Sequence, residues 1–235
     1  MNRVFDGTDK IGDIVAEFPG ASNLFKQYRI DFCCGGDRQL SAALRQRDLH
    51  EEEFLGQLNE AYRLARQQPD PNRDWRHVPY GELIDHVIHT HHAYLNKELP
   101  LLSEFVTKIL RVHGAGHPEL TALHKLFHEL KMELEQHLIS EETTIFPKIR
   151  EYEATGSQQT LREAVDAIDK LESEHEYAGE LLKEMRAVTE QYRLPEQACR
   201  TYTLTFHKLE ELESDMYQHI HLENNILFPR IEAEA

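Results

Sequence analysis

A histidine followed four residues later by a glutamate, and then by a proline six residues after the glutamate, occurs twice in this chain. The first copy is His137 and Glu141, and the second is His219 and Glu223. The histidines of the two copies are 82 positions apart. Because residues four apart lie on one face of a helix, each copy presents an imidazole beside a carboxylate. Two such faces turned toward each other would form a binuclear metal site.

The repeat extends to two more histidines. His92-Ala-Tyr94 matches His175-Glu-Tyr177 at a shift of 83 positions, within one residue of the shift between the His-x-x-x-Glu copies. Each half therefore supplies one helix with a histidine and one helix with His-x-x-x-Glu. The candidate metal ligands are His92, His137, Glu141, His175, His219 and Glu223.

Helical projection places these ligands on apolar stripes. At about 100° per residue, His137 and Glu141 fall inside a leucine stripe, and His175, His219 and Glu223 fall along the stripes of their own segments. Charged groups on an apolar face are costly unless they are paired or bound to a metal. A single histidine would indicate only an ordinary polar residue near a helix end, whereas six positions that obey one repeat indicate a shared site.

The first segment leaves its ligand open between two neighbours. The apolar stripe through Ile84, Ile88 and Leu95 points nearer to His91, whereas the repeat points to His92. We expect His92, because the same repeat relates the other ligands. Three further histidines lie outside this set. His221 is expected to face solvent, and His124 and His128 are expected on the surface or beside the site.

Imidazole and carboxylate donors suit iron, manganese or zinc. If each carboxylate bridges two metals, each metal receives two carboxylate oxygens and two of the four imidazoles. A bridging solvent oxygen adds a fifth donor. One position on each metal then stays open to a small molecule. Zinc in a structural role prefers closed tetrahedra, so the donor set favours a redox-active iron pair. The Glu-x-x-His spacing that organises ferritin-like bundles is not the organising motif here.

The elements that must position these ligands are four long amphipathic segments. They span roughly residues 80–112, 117–150, 158–190 and 196–232, and strand signals are nearly absent. Long helices with short connections predict an all-α fold with an antiparallel four-helix bundle over residues 80–235. Residues 67–79 contain three prolines and are predicted to be a linker. Residues 1–66 are predicted to form a small helical domain.

Composition excludes several classes of function. The chain has 235 residues and a formal charge of −16, which disfavours nucleic acid or an anionic membrane as a partner. No apolar run approaches the roughly 18 residues of a membrane span, and the first residues lack a signal peptide. Three cysteines do not make a disulfide framework. We therefore expect a cytoplasmic protein.

The small domain contains the turn Cys33-Cys34-Gly35-Gly36. Adjacent cysteines rarely bridge each other, because the small ring strains the disulfide. In an exposed turn near helix amides, a thiol pKa would be lowered, which would suit thiol exchange or holding iron in transit. The alternative is two small turn residues without a chemical role. Cys199 stands alone in a helical segment and is expected to be buried and structural.

Three carboxylates flank the predicted ligands. Glu133 and Asp215 each precede a ligand histidine by four residues, and Glu174 precedes His175 directly. Carboxylates in such positions orient imidazoles and relay protons. We expect this role for Glu133 and Glu174, and surface salt bridges are the alternative.

Across nearly its full length the chain resembles the hemerythrin-like di-iron proteins that repair iron centres. The resemblance rests on the turn Asp31-Phe32-Cys33-Cys34-Gly35-Gly36, the helix from Asp85 to His92, His137-x-x-x-Glu141, Glu172-Ser173-Glu174-His175, and His219-x-x-x-Glu223-Asn-Asn-x-Leu-Phe-Pro229. It implies an oxo- or hydroxo-bridged pair of iron ions with Glu141 and Glu223 as bridges. It also implies a stress-response role in repairing iron–sulfur clusters after nitric oxide or peroxide damage, by supplying iron or by reducing nitric oxide to nitrous oxide as an oxidoreductase.

The implied partners are damaged iron–sulfur proteins and the small molecules NO, O2 or peroxide, with a homodimer as one option for assembly. Oxygen-carrying hemerythrins have five histidines and one iron closed to ligands, whereas the symmetric set here favours reactivity or iron release. Two alternatives stay open. One is a gas-binding or gas-sensing module without turnover, and the other is a plain four-helix interaction protein. Iron analysis would test the second alternative, because a plain interaction protein would bind no iron.

Overall fold

The computed structural model describes residues 4–65 and 74–235. Within these ranges the regular structure is helical, and β pairing is limited to an isolated bridge between Lys10 and Gln39. The predicted all-α fold is therefore confirmed. Most of the predicted linker, residues 67–73, lies outside the described residues, and its remainder contains a 3₁₀ turn at Trp75–His77.

The helices follow one another along the chain with short connections. In order they are α1 (Ile11–Glu17), α2 (Ala21–Gln27), α3 (Leu40–Gln46), α4 (Glu51–Ala65), α5 (Tyr80–His86), α6 (Ala93–His113), α7 (Glu119–Ser140), α8 (Phe146–Thr155), α9 (Gln158–Val188), α10 (Arg200–Leu222) and α11 (Phe228–Glu232). Gly156 ends α8 in a left-handed conformation with φ of 68°, and the Ser157 side chain caps α9 by accepting from the Thr160 amide.

Within the described residues, π-helical turns join successive helices at three places. They are π1 (Val87–His92), π2 (Glu141–Ile145) and π3 (Glu223–Leu227). Pro147 and Pro229 follow the second and third turns near the starts of α8 and α11. Proline has no N–H to donate, and its ring collides with the carbonyl four residues earlier, so a wider turn takes up the disturbed hydrogen bonds. Such turns are frequent at functional sites, and each one here contains a predicted ligand.

The chain divides into two compact units. Unit 1 comprises the residues up to Leu83 together with Tyr217–Ala235, and unit 2 comprises Ile84–Met216. Helix α10 therefore begins in unit 2 and ends in unit 1. The domain boundaries predicted from the sequence stay a prediction.

Unit 2 is built from long helices packed side by side. Helix α7 contacts both α6 and α9, and α8 contacts α9. An ion pair of 2.6 Å between Lys208 and Glu98 ties α10 to α6, and another of 2.6 Å between Arg186 and Glu213 ties α10 to α9. The apolar stripes read from the sequence are buried here, which leaves the polar residues on those stripes inside the unit.

Unit 1 has an aromatic core that includes residues from both ends of the chain. The Phe25 ring stacks on Phe54 and Phe32 at centroid distances of 5.7 and 6.3 Å, and Phe32 packs edge-on against Tyr217 at 6.1 Å. Helix α1 contacts π3. In the described part of the chain, no helix is both long and apolar enough to span a membrane.

Candidate metal centre

Unit 2 brings four of the predicted ligands together in its interior. His92, at the end of π1, is 1% exposed, and His137 on α7 is 4% exposed. Glu141 begins π2 and is 0% exposed, and His175 on α9 is 1% exposed. An ionisable cluster buried to this degree is costly unless its members are paired or bound to a cation.

The two oxygens of Glu141 face different imidazoles. Oε2 lies 3.3 Å from Nε2 of His92, and Oε1 lies 3.2 Å from Nε2 of His137. Nε2 of His175 lies 2.9 Å from Nε2 of His137, so a donor atom from His137, Glu141 and His175 lies within 4.8 Å of the others. This is the orientation of a carboxylate able to bridge two cations, one beside His92 and one beside the other two histidines.

The outward nitrogens of two ligands are held by carboxylates. Nδ1 of His92 donates to Oε1 of Glu142 at 2.8 Å, and Nδ1 of His137 donates to Oε2 of Glu174 at 2.7 Å. These bonds keep the proton of each ring on Nδ1, so the lone pair of each Nε2 points toward the interior. Burial opposes the charge of Glu174, but the hydrogen bonds from His137 and Lys170 outweigh it and lower the pKa of that carboxyl.

Unit 1 contains the second His-x-x-x-Glu copy. His219 lies in the last turn of α10, Glu223 begins π3, and both are 0% exposed. Nε2 of His219 lies 3.2 Å from Oε2 of Glu223, the same distance that separates His137 from Glu141 in unit 2. The repeat seen in the sequence is thus repeated in local geometry, including the π turn that begins at each glutamate.

The donor set fits a metal. Two nitrogen lone pairs 2.9 Å apart repel each other unless a proton or a cation lies between them. Ligand atoms about 2.1 Å from one metal and at right angles to each other are about 3 Å apart. The His137 nitrogen lies at this spacing from both the Glu141 oxygen and the His175 nitrogen. Imidazole nitrogen with carboxylate oxygen suits iron, among other metals.

Comparison with known proteins agrees with this chemistry. Residues 83–231 match the family model of the hemerythrin HHE cation binding domain, and residues 7–62 match a domain of unknown function, DUF542. The first match includes all six predicted ligands. The chain belongs to the hemerythrin-like family of iron-sulfur cluster repair proteins. Membership implies non-haem iron binding, and the buried histidines and glutamates are able to hold a metal.

Relatives in this family align over nearly the whole chain. The iron-sulfur cluster repair protein ScdA of Staphylococcus haemolyticus (strain JCSC1435) is 31% identical over 223 residues, covering 93% of this chain and 95% of the relative. The repair protein YtfE of Enterobacter sp. (strain 638) is 38% identical over 220 residues, covering 94% of both chains. YtfE of Escherichia coli O8 (strain IAI1) is 37% identical, also with 94% coverage of both.

Both candidates for the ligand in the first segment of this repair-family chain are buried. His92 faces Glu141, whereas Nδ1 of His91 donates to Oδ1 of Asp215 at 2.9 Å. The π1 turn is wider than an α turn, so it can direct two successive side chains inward. Asp215, expected beside His219, is thus found against His91.

The double-cysteine turn lies in unit 1 and is more enclosed than expected. Cys33 is 3% exposed, and its Sγ lies 3.8 Å from Sγ of Cys34. Oδ1 of Asp31 accepts from the Cys33 amide, the Cys33 thiol and the Gly35 amide, each at 3.2 Å. The hydrogen bond to Cys34, burial and the charge of Asp31 hold the pKa of Cys33 well above its ordinary value. The expectation of an exposed thiol with a lowered pKa is therefore wrong for Cys33.

Of the two predicted relay carboxylates, Glu174 contacts a predicted ligand. Glu133 is half-buried on α7. The hydroxyl of Tyr177 donates to Glu129, and this bond, with burial and the nearby charges of Glu129 and Glu133, raises the pKa of Tyr177 to about 12. The relay roles of Glu133 and Glu174 stay predictions.

Two burial predictions are wrong. His221 is 2% exposed, because the Phe32 ring packs against it at 5.9 Å, and burial lowers its pKa to about 4. Cys199 is exposed and lies 3.2 Å from Nε2 of His113. His128 is half-buried beside Ser103, and His124 is half-buried beside Thr107.

Sequence reasoning missed two residues. Glu142 accepts the hydrogen bond from His92, and nothing in the sequence marks it apart from its position next to Glu141. Asn225 contacts the cysteine turn through its side chain. Its only sequence signal was its place in the Glu223-Asn-Asn motif.

Proposed function

We propose that this protein repairs iron–sulfur clusters damaged by nitric oxide or oxidative stress, using a centre of two iron ions. The observation that carries the proposal is the buried carboxylate of Glu141, whose two oxygens face His92 and His137 separately. The names of relatives that align over 93–94% of this chain support the same activity.

In this proposal His219 and Glu223 complete the centre. Glu141 and Glu223 would hold the two ions together with His92, His137, His175 and His219, and the pair would supply redox-active, exchangeable iron. Support comes from the equal distances within the two His-x-x-x-Glu copies and from the π turn that begins at each glutamate. Sequence continuity supports it too, since one family model spans residues 83–231.

The iron pair, when bound, supplies exchangeable iron and electrons. The surrounding residues orient the ligands and handle protons. Reduction of two molecules of nitric oxide to nitrous oxide and water consumes two electrons and two protons. Glu174 is 29% exposed while it accepts from His137, so it can exchange a proton with water without leaving the ligand. Glu142 has the equivalent position at His92 and is 38% exposed.

Iron donation requires a second group of ligands that can accept the iron. The donors of Asp31, Cys33 and Cys34 lie within 4.8 Å of one another and combine two thiols with a carboxylate. A cation there would offset the charge of Asp31 and favour the thiolates. We include this turn in the proposal as a transfer position toward damaged iron–sulfur proteins. The three cysteines are reduced thiols in this structure, which suits the reducing cytoplasm.

The test is reactivation of an enzyme whose four-iron cluster has been damaged by nitric oxide. Iron-loaded protein should restore activity faster than the same amount of free ferrous iron, and Glu141→Ala should lose this advantage. Substituting Cys33 and Cys34 together by alanine should impair repair while leaving the iron spectrum intact. Reactivation no faster than with free iron would contradict the proposal. Nitric oxide binding without nitrous oxide or repair would instead indicate a gas-binding module.

A further inference from the structure

Asn225 connects the cysteine turn to the segment that carries Glu223. It lies two residues after Glu223 in π3. Its side-chain Nδ2 donates to the carbonyl oxygen of Cys33 at 2.9 Å and approaches that of Phe32 at 3.5 Å. Cys33 is thus one hydrogen bond and two residues away from a predicted metal ligand, and all of these residues belong to unit 1.

Two glycines make room for the Asn225 side chain. A Cβ added to Gly36 would collide with Oδ1 of Asn225, and so would a Cβ added to Gly12. The amide of Gly12 donates to the carbonyl of Gly36 at 2.7 Å, which closes the space between α1 and the turn. The tip of Asn225 therefore occupies a space that only glycine at positions 12 and 36 leaves open.

A second contact joins the same two segments. His221 lies four residues before Asn225, and its ring packs against Phe32 at 5.9 Å. On the other side of the turn, Oδ1 of Asp31 accepts from the amides of Cys33 and Gly35. The turn is thus held by its own aspartate and by two side chains from the metal-ligand segment.

We propose that Asn225 is a positioning residue that fixes the main chain of the Cys33–Cys34 turn against the segment carrying Glu223. The inference deepens the proposed function, because it takes Glu223 as an iron ligand. Of the two side chains that reach the turn from this segment, Asn225 is the one that hydrogen-bonds the main chain of Cys33, so a displacement of the turn is passed to Glu223 and a displacement of Glu223 to the thiols. The thiols and the iron are then set in one geometry, as transfer between them requires.

The sharpest variant is Asn225→Asp, because aspartate has the same shape but places a carboxylate oxygen against two carbonyls. Asn224→Asp adds the same charge one residue away and is the matched control. Both are made in a Cys199→Ser background, since Cys199 is exposed and would dominate a thiol assay. The probes are the reaction rate of the remaining thiols with a disulfide reagent in the metal-free protein, and the optical and Mössbauer spectra after iron loading.

Asn225→Asp should raise the thiol reaction rate roughly tenfold, the factor that corresponds to the loss of one ordinary hydrogen bond. It should also shift the iron spectra, whereas Asn224→Asp should change neither readout. Gly36→Ala should reproduce both effects by displacing Asn225 without altering it. Its control is Gly56→Ala, where an added Cβ meets nothing within 4 Å.

The two proposals fail in different ways. If Asn225→Asp and Gly36→Ala match their controls in either readout, the positioning role is overturned. A faster thiol reaction with an unchanged iron spectrum also overturns it, because Glu223 would then be independent of the turn. Absence of iron from the unsubstituted protein would reject the proposed function instead, and the thiol rates would still decide whether Asn225 holds the turn.

Discussion

The Nε2 atoms of His137 and His175 lie 2.9 Å apart inside unit 2. Helices α7 and α9 hold the two rings edge to face, with centroids 4.6 Å apart. In this setting the nitrogens need a shared proton or a shared cation. Helix packing therefore positions a pair of donors whose repulsion a metal relieves, which is a preorganised ligand pair.

Replacing His175 by alanine should remove one nitrogen donor from one side of the centre. We expect iron content to fall from about two ions per chain to about one, with the ion beside His92 retained. Elemental analysis of anaerobically loaded protein measures this. His128→Ala is the control, because His128 lies on α7 beside Ser103 and should keep full iron content. Equal iron content in both variants would rule His175 out as a ligand.

Glu141→Gln should separate bridging from simple ligation. The amide keeps the shape of the side chain, but its nitrogen cannot act as the second anionic donor. We expect loss of the magnetic coupling between the two ions, and Glu223→Gln should behave the same way because the repeat makes the two residues equivalent. Variable-field Mössbauer spectroscopy reports this coupling. A coupled spectrum in either variant would show that the substituted residue is not a bridge.

Glu174→Gln should weaken iron binding through His137. The amide cannot accept the Nδ1 proton as strongly as the carboxylate does, so the imidazole loses orientation and basicity. Loss of such a partner typically lowers metal affinity about 10–100-fold, and competition with a chelator measures it. Glu133→Gln is the comparison, since Glu133 lies on α7 one turn before His137. An equal effect of both substitutions would contradict a specific role for the Glu174 contact.

The ion pair between Glu98 and Lys208 predicts a pH dependence of stability. The hydrogen bond from Lys208 outweighs burial and lowers the pKa of Glu98 in the folded state. A lowered pKa contributes stability that is present above the ordinary glutamate pKa and is lost as the pH falls through the folded value. Glu98→Gln should therefore cost about 1–3 kcal/mol at pH 7, and this cost should shrink progressively as the pH falls below the ordinary glutamate pKa of about 4.3.

Urea unfolding at several pH values tests this, with Glu104→Gln as the control. Glu104 is exposed on the same helix, and its substitution should leave stability unchanged across the range. A Glu98→Gln penalty that persists at low pH would show that packing, not the ion pair, accounts for it.

The sequence predicted the ligand helices because burial and duplication leave periodic signals. The stripe around His137 and the shift to His219 are local patterns, and both copies have the same internal distance. The uncertainty between His91 and His92 arose from projection at a fixed α-helical angle, which the π1 turn breaks. A π turn has no reliable sequence signal apart from a following proline, and π1 has none directly after it.

Contacts between distant segments could not be predicted in the same way. Helical projection turns His221 away from the apolar stripe of its own segment and so predicts a solvent-facing side chain, whereas Phe32 covers it from nearly 190 residues away. Asn225 contacts the Cys33 carbonyl across a sequence separation of 192 residues. Cys199 was expected in a core because cysteine is often buried, but the residues before α10 leave it exposed.

The proposed function requires that the buried histidines and glutamates hold a pair of iron ions. Mössbauer spectroscopy of protein loaded with ⁵⁷Fe, combined with iron analysis, tests it most directly. An iron pair held by these residues should give about two ions per chain and a spin-coupled spectrum with both sites similarly coordinated. A single uncoupled ion per chain, or no iron retained after desalting, would contradict it.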